Sequence, residues 1–111
     1  MSDPTVGRDS LRQRLAVGTG VTLVHFTAPW CPPCRMQSAE AARLSDASGG
    51  EIGFIEVDVA EDPAAAEDYR VGAVPTLVFF QGEAELCRAT GFRTRGELRG
   101  MLDRARTEHQ S

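Results

Sequence analysis

Three short runs of apolar, largely β-branched or aromatic residues constrain most strongly what this chain can fold into. The runs are Val21–Phe26, Ile52–Val59 and Thr76–Phe80. Each has the length and composition of a strand that is covered on both faces. Segments with helical patterns separate the runs, so helices and strands alternate along the chain. This alternation predicts an α/β protein with a mixed central β-sheet and helices on both faces.

The predicted helices have recognisable boundary signals, such as a capping residue, a proline in the first turn or a glycine past the end. They are a first helix capped by Asp9-Ser10 and closed by Gly18 or Gly20, Arg35–Ala47, Ala64–Tyr69 behind the cap Asp62-Pro63, and a last helix capped by Thr94. A turn at Gln81-Gly82 joins the third strand to a fourth, Leu86–Thr90, as an antiparallel hairpin. The full order therefore predicts two parallel βαβ crossovers followed by a hairpin.

Charge and hydropathy exclude several classes of partner. The net charge is −4, from 12 basic and 16 acidic residues. Nucleic acids and anionic membranes both bind basic surfaces, so we expect neither as a partner. Residues 1–20 contain no apolar run of signal-peptide length, and no stretch approaches the ~20 apolar residues of a membrane span. The sequence therefore predicts a cytoplasmic protein.

Two of the three cysteines lie in the segment Trp30-Cys-Pro-Pro-Cys34, at the junction of a predicted strand and a predicted helix. Unpaired N–H groups and the dipole at a helix start favour thiolate over thiol, so we expect Cys31 to be exposed, with a lowered pKa. Two intervening residues bring Cys34 back on the first turn. There it is shielded, yet close enough to attack a mixed disulfide formed at Cys31. Proline fits the first helical positions without loss of a hydrogen bond.

A structural or metal-binding role for the same cysteines is the alternative. Zinc takes four ligands, and the sequence contains neither a second CxxC nor a CxxH. His25 and Cys87 could complete a site only if the fold brought them to the pair. We therefore expect redox exchange and no metal, and we interpret Cys87 as a small apolar residue of the fourth strand rather than a regulatory thiol.

Three segments of the sequence resemble the thioredoxin family. They are Phe26–Arg35, which contains Trp-Cys-Pro-Pro-Cys, the segment Tyr69–Thr76, which ends in Val-Pro-Thr, and Gly91. The resemblance covers residues from about 5 to 106, and it implies one thioredoxin-like domain over residues 1–111. It also implies a thioredoxin fold and a thiol–disulfide oxidoreductase whose only redox group is the Cys31–Cys34 disulfide, with no bound cofactor.

The resemblance also implies roles for individual residues. Cys31 corresponds to the attacking thiol and Cys34 to the resolving thiol. Pro75 corresponds to a cis-proline that presents the Val74 backbone to an extended substrate, a short β-augmentation. The other expected substrate-binding residues are Trp30, Pro32, Pro33 and Gly91.

Three positions depart from the family pattern. His25 stands where the family usually has a buried Asp that accepts a proton from the resolving cysteine, and Glu56 stands where it often has a Lys. We interpret His25 either as a proton acceptor assisted by Glu56 or as a neutral core histidine, and Glu56 otherwise as a partly exposed strand carboxylate. Ala39 replaces a proline that kinks the family's helix, so we expect a straighter helix.

Three functions remain open at this point. The first is a cytoplasmic protein-disulfide reductase that is recharged by a partner such as a thioredoxin reductase. The second is an oxidase or isomerase, although Pro33 stands where oxidising family members often have a polar or His residue. The third is a non-catalytic adaptor subunit, for which an intact pair of thiols would serve no physical purpose.

Overall fold

The computed structural model describes residues 8–18 and 20–110, with side chains for 11–18 and 20–108. Its elements are α1 (Arg8–Val17), β1 (Val21–Thr27), α2 (Pro32–Ala47), β2 (Ile52–Asp58), α3 (Pro63–Asp68), β3 (Thr76–Gln81), β4 (Ala84–Thr90) and α4 (Arg95–Gln110). Their order is the predicted one. Asp9 and Ser10 belong to α1 itself, so they are not the cap predicted for it.

The four strands form one mixed sheet in the order β2-β1-β3-β4. Strand β1 pairs in parallel with β2, whereas β3 pairs antiparallel with β1 and with β4. The first parallel crossover is therefore confirmed and the second is wrong.

The connection between β2 and β3 does not carry the chain back to the start of the sheet. Its helix α3 has only six residues and spans about 9 Å, whereas a seven-residue strand such as β2 spans about 23 Å. Strand β3 begins instead at Thr76, opposite Phe26, at the same end of the sheet where β2 finishes.

Helices cover both faces of the sheet. One core layer joins the sheet to α1 and α3, and it contains Leu11, Leu15, Val24, Phe26, Ile55, Val57, Ala65, Val78 and Phe80. The other joins the sheet to α2 and α4, and it contains Val21, Leu23, Ala41, Leu44, Ile52, Leu77, Phe79, Leu98 and Leu102. The residues of β1 alternate between these layers, so His25 lies on the α2/α4 face with Leu23.

Capping interactions fix where the later helices begin. The Asp62 carboxylate accepts a hydrogen bond from the Ala65 N–H, and Pro63 is the first residue of α3, as predicted. The Thr94 hydroxyl accepts from the Glu97 N–H while the Glu97 carboxylate accepts from the Thr94 N–H, a reciprocal capping box. No helix in residues 8–18 or 20–110 is long and apolar enough to span a membrane.

Helix α2 begins one turn earlier than predicted, at Pro32, and continues without interruption through Ala39 to Ala47. Two prolines occupy its first positions, where a missing N–H costs no helical hydrogen bond. The hairpin turn also differs from the prediction by one residue, since it consists of Gly82 and Glu83. Gly82 has φ of 59°, a conformation that favours glycine.

The C-terminal end of α3 holds Arg70 in a left-handed conformation, with φ of 57°. The Val71 N–H donates to the Ala66 carbonyl at 2.8 Å and the Arg70 N–H to the Glu67 carbonyl at 3.2 Å. These two bonds form a Schellman motif in which the left-handed position is usually glycine. Arg70 is the only non-glycine residue with positive φ in the described part of the chain.

We expect Arg70→Gly to increase the free energy of unfolding by about 1 kcal/mol. A left-handed non-glycine residue costs of order 1–3 kcal/mol, and part of the gain is offset by the extra freedom of glycine in the unfolded chain. Guanidinium unfolding measures the change. Arg70→Ala is the matched control, because it removes the same side chain but keeps Cβ. A gain in Ala equal to that in Gly would contradict the backbone explanation.

Candidate active site

The two cysteines lie at the end of the sheet where β1 finishes, at Thr27. Cys31 is the N-cap residue of α2, with extended backbone angles, and Cys34 lies on the first turn. Their sulfurs form a disulfide with the two Cα atoms 5.3 Å apart. The Cys31 N–H donates to the Ala28 carbonyl, which fixes the short connection from β1. The strand-to-helix junction predicted from the sequence is therefore confirmed.

Both cysteines are buried in this disulfide form. Cys31 is 6% exposed and Cys34 is 2% exposed, so the expectation of an exposed Cys31 is wrong here. The cysteines are buried because the apolar side chains of Ala28, Val59 and Val74 pack against them.

Few N–H groups face the Cys31 sulfur at the helix start. An N-cap side chain is normally served by the N–H groups of the second and third helical residues. Pro33 is the second of these residues and has no N–H. The third, Cys34, donates its N–H to the Cys31 carbonyl at 3.1 Å. Stabilisation of a thiolate at Cys31 is correspondingly limited.

Two openings flank the disulfide. A cavity of about 270 Å³ is lined by Thr27, Ala28, Pro29, Cys31, Cys34, Arg35, Ser38 and Asp58. A second, of about 300 Å³, is lined by Pro29, Trp30, Cys31, Pro32 and Arg35. Trp30 is 69% exposed and Met36 is 63% exposed, which is unusual for large apolar side chains. Trp30 and Pro32 line the second cavity, so they give the disulfide an exposed apolar border.

The segment before β3 packs directly against the disulfide. The Val74–Pro75 peptide bond is cis, as expected, and Val74 contacts the cysteine pair. The Gly91 N–H donates to the Pro75 carbonyl at 2.8 Å, and Gly91 has φ of 93°. The structure therefore brings Val74, Pro75 and Gly91 together beside Cys31.

Beneath α2, His25 and Glu56 form a pair across two parallel strands. They are register partners in β1 and β2, and His25 Nδ1 lies 2.9 Å from Glu56 Oε2. The Ser38 hydroxyl donates a short hydrogen bond to the same carboxylate oxygen, and it lies 3.4 Å from His25 Nδ1. The two residues therefore approach as the proton-acceptor interpretation requires, and Ser38 joins them.

Comparisons with known proteins agree with this geometry. The family model for thioredoxin matches residues 5–104. The chain belongs to the thioredoxin family. The thioredoxins of Staphylococcus epidermidis and Staphylococcus aureus are 33% and 34% identical to it over 88 residues, which cover 79% of this chain and 85% of each relative. Together with the neighbouring cysteines, this makes the protein a thiol–disulfide oxidoreductase.

Solved structures support the fold. Thioredoxin-2, described as a component of the malaria parasite protein secretion machinery, is 27% identical and has a TM-score of 0.72, covering 77% of this chain and 82% of its own. Chloroplastic thioredoxin z has a TM-score of 0.84 at 21% identity and covers 96% of both chains. The thioredoxin fold predicted from the sequence is therefore confirmed.

Within this thioredoxin-family site, the hydrogen bonds assign the protons of the His25–Glu56 pair. The His25 hydrogen bond is the main cause that lowers the pKa of Glu56; burial opposes it, and the bond from Ser38 lowers the pKa further. An ionised Glu56 only accepts, so His25 carries hydrogen on Nδ1. In the neutral ring Nε2 then has a free lone pair. This atom is buried and has no hydrogen-bond partner among the described residues.

Ser38 was not singled out from the sequence. It follows Cys34 by four residues, so the two side chains lie on the same side of α2 and line the same cavity. That spacing is a signal the sequence contains, although a serine four residues after a cysteine is common. Asp58 also lines the cavity, where its carboxylate accepts from the Ala60 and Glu61 N–H groups.

Cys87 lies away from this network, in β4. Its Sγ is 3.9 Å from the Met101 carbonyl of α4, and burial, followed by the Glu85 carboxylate, raises the pKa of its thiol. A protonated thiol is a weak nucleophile, which agrees with the interpretation of Cys87 as a small apolar residue. No three His, Cys, Asp or Glu side chains in the part of the chain that the structure describes could together hold a metal ion.

Glu56→Gln is expected to reduce stability at neutral pH and to matter less in acid. A carboxyl whose pKa is lowered by folding stabilises above its unfolded pKa, and the contribution is lost as pH falls through the folded value. The loss near pH 7 should be roughly 1.5 kcal/mol, as for hydrogen bonds to charged groups. Urea unfolding of parent and variant between pH 3 and pH 7 measures the difference. A pH-independent difference would contradict an ionised Glu56.

Proposed function

We propose that this protein is a thioredoxin-type reductase of protein disulfides in the cytoplasm, acting as one domain and recharged by a partner such as a thioredoxin reductase. The observation that carries the proposal is the disulfide at the start of α2 with the cis Val74–Pro75 segment packed against it. This arrangement puts a redox-active pair beside backbone groups that can hold a peptide. Cytoplasmic substrates are supported by the cysteine content, which is too low for a secreted disulfide scaffold.

The proposed reaction is a two-step exchange. The Cys31 thiolate attacks one sulfur of the substrate disulfide, forms a mixed disulfide and releases the first substrate thiolate. The Cys34 thiol then loses its proton and attacks the Cys31 sulfur. This step forms the Cys31–Cys34 disulfide and releases the second substrate thiolate. Two electrons pass from the protein to the substrate, and the partner reductase returns two electrons to the cysteine pair.

The prolines between the cysteines support the reducing direction. A strong oxidant in this chemistry is one whose reduced, thiolate form is stabilised. Pro32 and Pro33 supply no N–H to the Cys31 sulfur, and the Cys34 N–H is already used within the turn. The reduced form is therefore stabilised little, which favours donation of electrons to substrates.

The substrate groove follows from the residues that meet at the disulfide. The Val74 backbone can pair with an extended peptide, and Gly91, which lacks a side chain, leaves room for that peptide beside Pro75. Trp30, Pro32 and Pro33 supply an exposed apolar surface on the other side of Cys31. A partly unfolded protein segment has the shape and chemistry for this groove.

His25 is proposed as the base for Cys34. Its neutral tautomer has a free lone pair on Nε2, and imidazole exchanges protons near neutral pH. When Cys34 attacks, its proton passes to Nε2 directly or through one water. The ionised Glu56 then stabilises the imidazolium through the Nδ1 hydrogen bond. Glu56 and Ser38 position the ring and do not touch the reacting sulfurs.

The oxidase or isomerase and the adaptor remain the competing functions, and two measurements separate them. We expect the reduced protein to reduce insulin with a thiol donor, which an adaptor does not. We also expect a reduction potential near the thioredoxin value of about −270 mV, measured against glutathione. A potential more positive than about −180 mV, the value of a disulfide isomerase, would favour the oxidase or isomerase.

We expect His25→Ala to slow disulfide reduction at pH 7 by about a hundredfold, as is typical for loss of a general base. His25→Asn is the matched control, because its amide can still donate to Glu56 but offers no base; it should be equally slow. His25→Asp should recover part of the rate. Rapid mixing with insulin measures the resolving step, and the proton-transfer role is wrong if the Ala or Asn variant matches the parent.

A further inference from the structure

Gln37 is a fully buried polar side chain on α2 that the reaction above does not use. It is 0% exposed, and both ends of its amide bond the same residue. Nε2 donates to the Arg93 carbonyl at 2.9 Å, and Oε1 accepts from the Arg93 N–H at 2.7 Å. The side chain thus satisfies both backbone groups of one residue, as a neighbouring strand would.

The position of Gln37 makes this bond informative. The buried residues of α2 are Cys34, Gln37, Ala41 and Leu44, a stripe at helical spacing that is otherwise apolar. An apolar side chain could fill the same space without the cost of burying an amide. The amide is therefore explained by what it contacts, which is the loop that follows β4.

That loop begins at Gly91, so it forms one side of the proposed substrate groove. Gly91 is held to the Pro75 carbonyl, and Arg93 is held two residues later by Gln37. Gln37 follows Cys34 by one turn, so the same helix carries the resolving cysteine and the contact that fixes the loop. Hydrogen bonds of Gly91 and Arg93 fix one side of the groove. The packing of Val74 against the cysteines fixes the other side.

We propose that Gln37 is a positioning residue that sets the width of the peptide groove by clamping Arg93, and that it thereby selects extended protein segments over small disulfides. This inference rests on the proposed function, because it assigns a role to the Gly91 side of that groove. Without the clamp the loop keeps the Gly91 bond to Pro75 at one end and the bond from the Arg95 N–H to the Glu40 carboxylate at the other, and Arg93 between them is no longer held. The reacting sulfurs keep their surroundings, whereas the backbone that receives the peptide loses its fixed position.

The test compares two disulfides with the reduced protein in single-turnover mixing experiments. Insulin is the protein disulfide, and 2-hydroxyethyl disulfide is the small one, since it contains no peptide groups. For Gln37→Met we expect the rate constant to fall about tenfold with insulin and to stay within about twofold with the small disulfide, because misplacement of a binding element impairs positioning rather than exchange. Gln37→Asn retains an amide one methylene too short for both bonds and should show the same pattern.

Ile52→Val is the matched control for loss of stability. It removes one methylene from the core layer beneath α2. Ile52 lies opposite Val21, at the end of the sheet far from the cysteines. It should change the two rate constants by the same factor. Equal losses with both disulfides in the Gln37 variants, or no loss with either, would overturn the proposal.

Hydrogen exchange distinguishes this inference from the proposed function. The Arg93 amide should exchange faster in Gln37→Met than in the parent, whether or not insulin is reduced. Unchanged exchange at Arg93 would overturn the clamp. A parent protein that reduces the small disulfide but not insulin contradicts the proposed function, while the exchange measurement still tests the clamp.

Discussion

The pairing of β1 on both of its edges is the constraint on which the rest of the structure depends. Each of its residues from Val21 to Phe26 has a partner in parallel β2 and in antiparallel β3. A strand held on both sides cannot shift by one residue without moving its whole apolar set to the wrong face. This register fixes where the chain leaves the sheet, and so where Cys31 starts α2. It also sets His25 directly beside Glu56.

The His25–Glu56 pair shows that the register between β1 and β2 can bring a different pair of ionisable residues together. Burial disfavours the ionised form of a carboxylate, and a nearby cation favours that form again. Here the His25 ring lies fully inside the protein, and the Glu56 carboxylate lies at a partly exposed position, where ionisation costs less. The bond from Ser38 adds a second donor to Glu56, while His25 Nε2 has no partner among the residues that the structure describes. The network therefore holds the Glu56 carboxylate, whose pKa is lowered, directly beside the buried His25 ring.

Much of this arrangement could be predicted from the sequence, for identifiable reasons. Strand runs and caps such as Asp62-Pro63 are local signals, so the order of elements was correct. The direction of β3 was not, because it depends on the pairing of β3 with β1, which no local pattern shows. The contact of His25 with Glu56 needed the register between two strands. Gln37 and Ser38 were missed because their partners lie on other elements, although a polar residue on the apolar stripe of α2 marks Gln37 as unusual.

Helix α2 links these features, because three side chains within five residues face three different structures. Cys34 points to the disulfide, Gln37 to the loop that carries Gly91, and Ser38 to the acid–base pair beneath. Successive residues on a helix are turned by about 100°, so these three side chains lie together on one side of the first two turns. The helix is unbroken from Pro32 to Ala47, with Ala39 in place of a kinking proline. A displacement at one of these contacts therefore moves the helix that carries the other two, which couples the disulfide, the His25–Glu56 pair and the loop that carries Gly91.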